Sequence, residues 1–308
     1  MAKQYTSNLM MVRPANFQFN AETATSNSFQ HTIENLSKQE LQHKVLEEFD
    51  EYVQKLTLHK INVLEIQDTS EPIKPDAIFP NNWISMQEDG TIFLYPMCNE
   101  NRRLEVRSDI VEKIKQDFEV VVVNDLRNHL EENKFLEGTG SIIFDHIYKI
   151  AYACISPRTD ENLFLAYCNS IAYKPIYFHS TNQENKAIYH TNVMLTIGDT
   201  FAVICLESII DEAERKLVKD SLTNTNHEII EITFEQMNAF AGNMLQVINE
   251  DNKTYLVMSE TAFDSLRYEQ IQQIEAHTSI LSVSIPTIET IGGGSARCML
   301  AEIFLKKR

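Results

Sequence analysis

Apolar runs that are typical of β-strands recur along the chain, and five of them open on a polar or reactive residue. These residues are Asn82, Glu137, His190, Asn243 and Cys298, separated by steps of 55, 53, 53 and 55 residues. A repeated supersecondary unit with one chemical group at the same place in each copy gives such a pattern. If five copies form a ring, all five groups point at one centre.

One unit can be followed completely between residues 136 and 180. Its hydrophobic pattern predicts a hairpin from Ile142–Phe144 and Ile147–Ile155, and then a helix that begins at Ser156 and Pro157. The strand Lys174–Ser180 closes the unit. The expected apolar stripe of the helix contains Leu163, Ala166, Tyr167 and Ile171. The order of elements is therefore hairpin, helix, strand.

Three further copies follow the same order. Two of their hairpins turn at Asp89–Gly90 and Gly198–Asp199, which are typical hairpin residues. The last copy is expected to contain a single helix, from about Glu260 to Ala276. The strands predicted for the three copies are 83–86, 91–95 and 120–123; 192–197, 201–206 and 227–234; and 244–249, 255–258 and 280–285.

The fifth copy is divided between the two ends of the sequence. Met299–Leu305 and Asn8–Val12 are predicted to pair, and Asn62–Ile66 completes the unit. Ser37 and Glu40 have the spacing of a capping box and predict the start of the intervening helix. The sequence thus predicts one α/β domain, residues 1–308, built as a ring of five units. An ordinary α/β sandwich with accidental spacing is the alternative.

Composition and charge disfavour several classes of binding partner. The net charge of −17 disfavours nucleic acid and anionic membrane surfaces. No apolar run approaches the ~18 residues of a membrane span, and Met1 to Met11 lack a signal-peptide core, so we expect a cytoplasmic protein. Five cysteines without a C-x-x-C spacing disfavour structural zinc and a disulfide framework.

Three of the five spaced residues have the chemistry of a nucleophilic triad. Cys298 follows the glycines 292–294 and Arg297. The backbone N–H groups of the glycine segment and the positive charge of Arg297 are expected to favour a thiolate. His190 begins a predicted strand, which places Asn192 on the same face. Glu137 stands at a strand entry next to Gly138. Taken singly, each has an ordinary structural interpretation, but a ring brings thiol, imidazole and carboxylate together.

Five motifs resemble the guanidine-modifying, or amidinotransferase, superfamily. They are Phe-Pro-Asn-Asn-Trp (79–83), Glu-Gly-Thr-Gly (137–140), His-Thr-Asn (190–192), Ala-Gly-Asn-Met-Leu (241–245) and Gly-Gly-Gly-Ser-Ala-Arg-Cys (292–298). The resemblance spans nearly the whole chain. It is greatest to the arginine-deiminase-related branch that includes citrulline-utilisation hydrolases.

The resemblance implies a fold and a chemistry. The fold is the pentein, a five-bladed ββαβ propeller with pseudo-fivefold symmetry. In the implied roles, Cys298 is the nucleophile, His190 the general acid and base, and Glu137 their acidic partner. Cys298 attacks the carbon of a guanidino or ureido group and forms a covalent thio-intermediate that water hydrolyses. No metal or organic cofactor is implied.

The sequence departs from the superfamily pattern at two positions that are expected to bind the substrate. Arginine deiminase and its relatives have aspartates at the positions that match Asn82 and Asn192, where they hold a cationic guanidinium. An amide both donates and accepts, which suits a ureido group better. We therefore expect citrulline as substrate, cleaved to ornithine, ammonia and carbon dioxide. Arginine deiminase, dimethylarginine hydrolase or amidinotransferase activity is the alternative.

Other residues are candidates for binding the rest of an amino-acid substrate. Asn243 is expected near the centre because the repeat places it there. The partner of the α-carboxylate is to be found among the arginines, with Arg297 and Arg13 as the first candidates and Arg102, Arg103 and Arg158 as others. A homodimer is compatible with the sequence, which does not determine the oligomeric state. A non-enzymatic binding protein with the same propeller is the remaining alternative.

Overall fold

The computed structural model describes residues 3–33 and 36–308, and the strands within these ranges form five three-stranded sheets. The strands are β1 Asn8–Arg13, β2 Asn62–Gln67, β3 Ile84–Met86, β4 Thr91–Leu94, β5 Val122–Asp125, β6 Ile143–Asp145, β7 Ile150–Cys154, β8 Lys174–Phe178, β9 Leu195–Ile197, β10 Phe201–Ile204, β11 Glu228–Glu231, β12 Leu245–Ile248, β13 Thr254–Ser259, β14 Ser279–Val283 and β15 Ala301–Glu302.

Helices connect these strands. The α-helices are α1 Ala21–Ala24, α2 Lys38–Leu58, α3 Glu100–Arg103, α4 Ser108–Asp117, α5 Gly138–Ser141, α6 Glu161–Ser170, α7 Glu212–Asn224, α8 Phe234–Asn238, α9 Glu260–Ser265, α10 Tyr268–Glu275 and α11 Pro286–Gly292. Short 3₁₀ turns occupy Pro80–Asn82, Arg127–Glu132, Thr191–Val193, Leu206–Ser208 and Ala296–Met299.

Every sheet has the same topology. Its central strand pairs antiparallel with one neighbour and parallel with the other, as β4 does with β3 and β5. A parallel pair requires a crossover connection, and helices provide it in each unit. The predicted order of hairpin, helix and strand is confirmed in all five units.

The ends of the chain share one sheet, as the sequence predicts. Strand β1 lies between β15 and β2, with Leu9 opposite Glu302 on one side and Val63 on the other. Contacts between sheets link β15 to β3, β6 to β9, and β9 to β12. The closed five-bladed ring and the single domain stay predictions.

The helices bury apolar side chains in the core of the protein. Helix α2 begins with the predicted capping box of Ser37 and Glu40, and it buries Leu41, Val45 and Phe49. Apolar side chains buried among the described residues form four clusters, the largest of which surrounds β10. In the described ranges, no helix combines the length and apolar character that crossing a membrane requires.

Two helices differ from the prediction. Helix α6 begins after Asp160, whose side chain accepts a hydrogen bond from the Leu163 backbone N–H, so the predicted start at Ser156 and Pro157 was wrong. The predicted apolar stripe also differs, because Ala166 is exposed and Phe164 is buried. The single helix expected from Glu260 to Ala276 is divided into α9 and α10, because Leu266 adopts an extended conformation between them.

Candidate active site

Cys298 lies in the 3₁₀ turn Ala296–Met299, which the glycines 292–294 lead into. Gly293 ends helix α11 with a φ of 62°, a left-handed conformation that glycine adopts readily. A Cβ atom at Gly294 would lie 2.9 Å from the ring of Phe79 and 3.3 Å from Cys298 Cβ. The glycine run therefore allows the backbone to approach the Cys298 side chain and the Phe79 ring closely.

Two side-chain amides surround the sulfur. Asn243 Nδ2 lies 3.2 Å and Asn192 Nδ2 lies 3.4 Å from Cys298 Sγ. Asn243 Nδ2 also donates to the carbonyl of Asn192 at 2.9 Å, which holds the two asparagines together. Amide N–H donors stabilise the anionic form of a sulfur that accepts from them. The Cys298 sulfur therefore has two N–H donors within reach.

His190 and Glu137 form a buried pair. His190 Nε2 lies 2.7 Å from Glu137 Oε2, and the two residues are 2% and 0% exposed. The second carboxylate oxygen of Glu137 accepts from the backbone N–H of Cys98 at 2.9 Å. Arg158 Nη1 lies 3.6 Å from Glu137 Oε2. The carboxylate is thus fixed from three directions.

The pair has a defined charge state. Burial raises the pKa of Glu137, but the charge of Arg158 and the hydrogen bond with His190 outweigh burial and hold the pKa at about 2. Burial lowers the pKa of His190 to about 4 against the opposing effect of Glu137. At neutral pH a neutral imidazole therefore faces a carboxylate. Because a carboxylate only accepts, Nε2 carries the proton and Nδ1 is the basic nitrogen.

A narrow cavity of about 10 Å³ joins these groups. Cys298 and His190 both line it, and Thr23 and Asn27 form part of its wall. The other charged and amide side chains of its wall are Asp76, Asn82, Arg102 and Arg158. Thiol and imidazole are therefore presented to one small enclosed space.

Three buried polar atoms around this cavity have no hydrogen-bond partner. They are Asp76 Oδ1, Asn82 Nδ2 and Asn192 Oδ1. Buried polar atoms are almost always paired in proteins, so unpaired atoms beside a cavity are available for a ligand. The orientation of Asn82 is set by Arg102 Nη1, which donates to Asn82 Oδ1 at 2.7 Å. The free atoms are therefore two acceptors and one donor.

The structure brings six of the eight predicted site residues together. Cys298, His190, Glu137, Asn82, Asn192 and Asn243 are linked by the contacts described above. The prediction that His190 and Asn192 lie on one strand was wrong. His190 precedes the 3₁₀ turn Thr191–Val193, and Asn192 belongs to that turn.

Arg13 and Arg297 lie outside the cavity. Arg13 forms two 2.8 Å hydrogen bonds with Asp50 at the surface. Arg297 donates to the Leu300 carbonyl and to Glu302, beside a different cavity that includes His146. Neither arginine is therefore placed to bind a ligand next to Cys298.

Sequence reasoning missed Asp76, Thr23 and Asn27. Asp76 lies three residues before Phe79, in a loop outside the regular repeat, and its Oδ2 accepts from Asn20 Nδ2 at 2.7 Å. The proximity of Asp76 to the Phe-Pro-Asn-Asn-Trp motif was the only available signal. Among the residues that the structure describes, there is no group of three or more His, Cys, Asp or Glu side chains that could hold a metal ion.

The five three-stranded sheets and the family match place the chain in the pentein, guanidino-modifying superfamily. Within it, the chain belongs to the N,N-dimethylarginine dimethylhydrolase family, whose eukaryotic-type family model matches residues 13–305. It is accordingly a hydrolase of C–N bonds outside peptides. No curated protein sequence matches the chain.

Solved structures support the fold. The N-terminal domain of ArgZ, an arginine dihydrolase from the ornithine-ammonia cycle in Cyanobacteria, is 14% identical with a TM-score of 0.74 over 96% of this chain and 97% of that one. AgrE in complex with L-arginine is 13% identical with a TM-score of 0.75 over 98% of this chain. The chain spans 40% of full-length ArgZ and AgrE.

A dimethylarginine dimethylaminohydrolase is similar over its whole length. Its adduct with S-methyl-L-thiocitrulline is 14% identical, with a TM-score of 0.63 over 98% of this chain and 100% of that one. At this level of identity the likeness concerns the fold.

Proposed function

We propose that the protein hydrolyses the ureido group of a citrulline-like amino acid to give ornithine, ammonia and carbon dioxide. One observation carries the proposal: Asn82 turns its oxygen to Arg102 and leaves Nδ2 as a free donor at the cavity. A guanidinium only donates protons, so it cannot satisfy that group. A ureido carbonyl can.

The remaining free atoms complement a ureido group as well. Asn192 donates to Cys298 Sγ and leaves Oδ1 as a free acceptor. A ureido NH₂ group can donate to that oxygen while its carbonyl accepts from Asn82 Nδ2. Leaving a buried donor unpaired costs about 1–3 kcal/mol. A guanidinium would leave this donor unpaired, which corresponds to a preference of about fivefold to 150-fold for the ureido group.

The groups around the cavity also complement the zwitterionic end of an amino acid. Asp76 Oδ1 is a free acceptor for an α-ammonium group. Two guanidinium groups line the cavity, but all three nitrogens of Arg102 are bonded within the protein. Arg158 retains Nη1, whose nearest ion contact is Glu137 at 3.6 Å. We therefore assign Arg158 rather than Arg297 or Arg13 to the substrate carboxylate.

The geometry supports a mechanism with covalent catalysis. The Cys298 thiol proton passes to neutral His190, and the thiolate attacks the ureido carbon. The imidazolium, stabilised by Glu137, protonates the departing NH₂ group, and ammonia leaves an S-carbamoyl intermediate that still carries the ornithine nitrogen. His190 then takes a proton from water, which attacks the same carbon and displaces sulfur. The resulting carbamate loses carbon dioxide and yields ornithine.

We further infer that the five sheets close into a propeller around this site. The contacts of β15 with β3 and of β9 with both β6 and β12 support a ring. So does the meeting of site residues from all five units, since Asn82, Glu137, His190, Asn243 and Cys298 come from successive units. A ring also removes exposed sheet edges.

Ammonia release tests the proposed substrate. Citrulline, arginine and N,N-dimethylarginine are supplied to the wild-type chain and to Cys298→Ser, and ammonia, dimethylamine, citrulline and ornithine are measured. We expect ammonia and ornithine from citrulline with the wild type and neither with the variant. N-carbamoylputrescine, which lacks the α-carboxylate, is expected to have a higher KM than citrulline. Turnover of arginine or N,N-dimethylarginine without turnover of citrulline would contradict the ureido substrate. It would favour a guanidine hydrolase, and family membership makes a dimethylarginine hydrolase the second candidate.

A further inference from the structure

Glu105 and Arg102 form a buried pair behind Asn82. Arg102 Nε and Nη2 each donate to one oxygen of Glu105 at 2.8 Å. Nη2 also donates to the Phe79 carbonyl at 3.2 Å. The remaining nitrogen, Nη1, donates to Asn82 Oδ1 at 2.7 Å. Arg102 and Glu105 are 2% and 3% exposed, so water does not compete for these bonds.

This arrangement leaves Asn82 one amide orientation. A side-chain amide presents an oxygen or an NH₂ group to a neighbour, and rotation by half a turn exchanges them. A guanidinium has no acceptor, so only the oxygen can face Arg102. The bidentate contact with Glu105 fixes the plane of the guanidinium and hence the direction of Nη1. Asn82 Nδ2 is thereby kept on the free side.

We propose that Glu105 and Arg102 are positioning residues that make Asn82 a hydrogen-bond donor and so select a substrate with an oxygen on the reacting carbon. The proposal rests on the proposed ureido hydrolase function. Glu105 acts through Arg102, and Arg102 through Asn82. The pair thus discriminates a ureido carbonyl from the NH₂ group of a guanidinium.

Glu105→Gln tests the pair, with kcat/KM measured for citrulline and for arginine. Glutamine keeps the size of the side chain but places one NH₂ group against a guanidinium nitrogen, so Arg102 loses its fixed plane. We expect at least a tenfold loss of kcat/KM for citrulline and at least a fivefold fall in the citrulline-to-arginine ratio. Glu100→Gln is the matched control, because exposed Glu100 lies on α3 with a 3.8 Å contact to Arg103. It should change neither value more than twofold.

Asn82→Asp provides an independent test that does not disturb the buried pair. An aspartate still accepts from Arg102 Nη1, so the fold is maintained, but its other oxygen can only accept. We expect the citrulline-to-arginine ratio to fall at least tenfold. This variant decides the question alone if Glu105→Gln does not fold.

The outcomes separate the two proposals. If the wild type releases ammonia from citrulline but neither variant changes the substrate ratio, the positioning role is wrong and the proposed function survives. An equal loss for both substrates in Glu105→Gln, with an unchanged ratio in Asn82→Asp, shows a purely structural pair and overturns the inference. A wild type inactive on both substrates contradicts the proposed function and the inference with it.

Discussion

His190 Nε2 lies 2.7 Å from Glu137 Oε2, and neither side chain is accessible to solvent to any significant extent. The contact fixes which imidazole nitrogen is protonated, because the carboxylate cannot donate. In the proposed mechanism, Nδ1 is the base that receives the thiol proton. The two residues also bring together two sequence motifs 53 positions apart.

Glu137→Gln removes the charge that stabilises the imidazolium. We expect kcat to fall by about 10²- to 10⁴-fold, the usual contribution of positioned acid–base catalysis. Circular dichroism should show that the variant is folded. Glu132→Gln is the control, since Glu132 is exposed and pairs with Lys134 at the surface. An active Glu137→Gln enzyme would exclude the proposed role of the pair.

Cys298 should react selectively with a haloacetamidine. Burial raises the pKa of Cys154, Cys168 and Cys205 to about 12 in each case, which keeps these thiols protonated. We expect one label per chain, located on Cys298 by peptide mass spectrometry, with loss of activity in proportion. Asn243→Ala should slow labelling, because one donor to the sulfur is lost. Equal labelling of Cys98 and Cys298 would argue against an activated nucleophile.

Gly140 is predicted to tolerate no side chain. A Cβ atom there would lie 2.4 Å from Asn82 Nδ2 and 2.8 Å from His190 Nδ1, so both side chains would have to move. We expect Gly140→Ala to reduce kcat/KM at least a hundredfold. Gly198→Ala is the comparison, since the nearest atoms to its Cβ would be those of the Phe201 ring, in a hairpin away from the cavity. The second variant should lose stability but keep kcat.

His146 should contribute to acid sensitivity. Burial lowers the pKa of His146 to about 4, with a further contribution from Arg297. As pH falls from 6.5 towards 4, the unfolded chain binds the proton first, and the free energy of unfolding decreases. One such histidine contributes a slope of up to about 1.4 kcal/mol per pH unit.

Urea denaturation at pH 7, 6 and 5 measures this slope. We expect His146→Gln to show a shallower decrease than the wild type, whatever its stability at pH 7. His43→Gln is the control, because His43 is exposed on α2. A variant of His146 with the wild-type slope would show that this histidine does not titrate on unfolding.

The repeat made much of the fold predictable. Hairpin turns such as Asp89–Gly90 can be recognised from the sequence alone, and so can a repeat period near 54 residues. The same period placed Cys298, His190 and Glu137 in corresponding positions, so their meeting followed from the arrangement of units. Asp160 was missed as a helix start because Ser156 and Pro157 offered a competing signal four residues earlier.

The substrate end of the site was less predictable. Arg297 was chosen for its nearness to Cys298 in sequence, but adjacent residues of a 3₁₀ turn point in different directions, and its side chain reaches Leu300 and Glu302. Asp76 belongs to an irregular loop without periodicity. Its position depends on contacts with Asn20 and Arg102, which only the folded chain brings together.

The sheet that contains β1 has a consequence for biosynthesis. Strand β1 is synthesised well before its antiparallel partner β15, which follows all the other strands of the structure along the chain. Until then β1 can pair with β2 alone, and one of its edges remains open to wrong partners. Chaperone binding to nascent chains should therefore persist until residues 301–302 emerge, and stalled synthesis before that point should yield aggregation-prone protein.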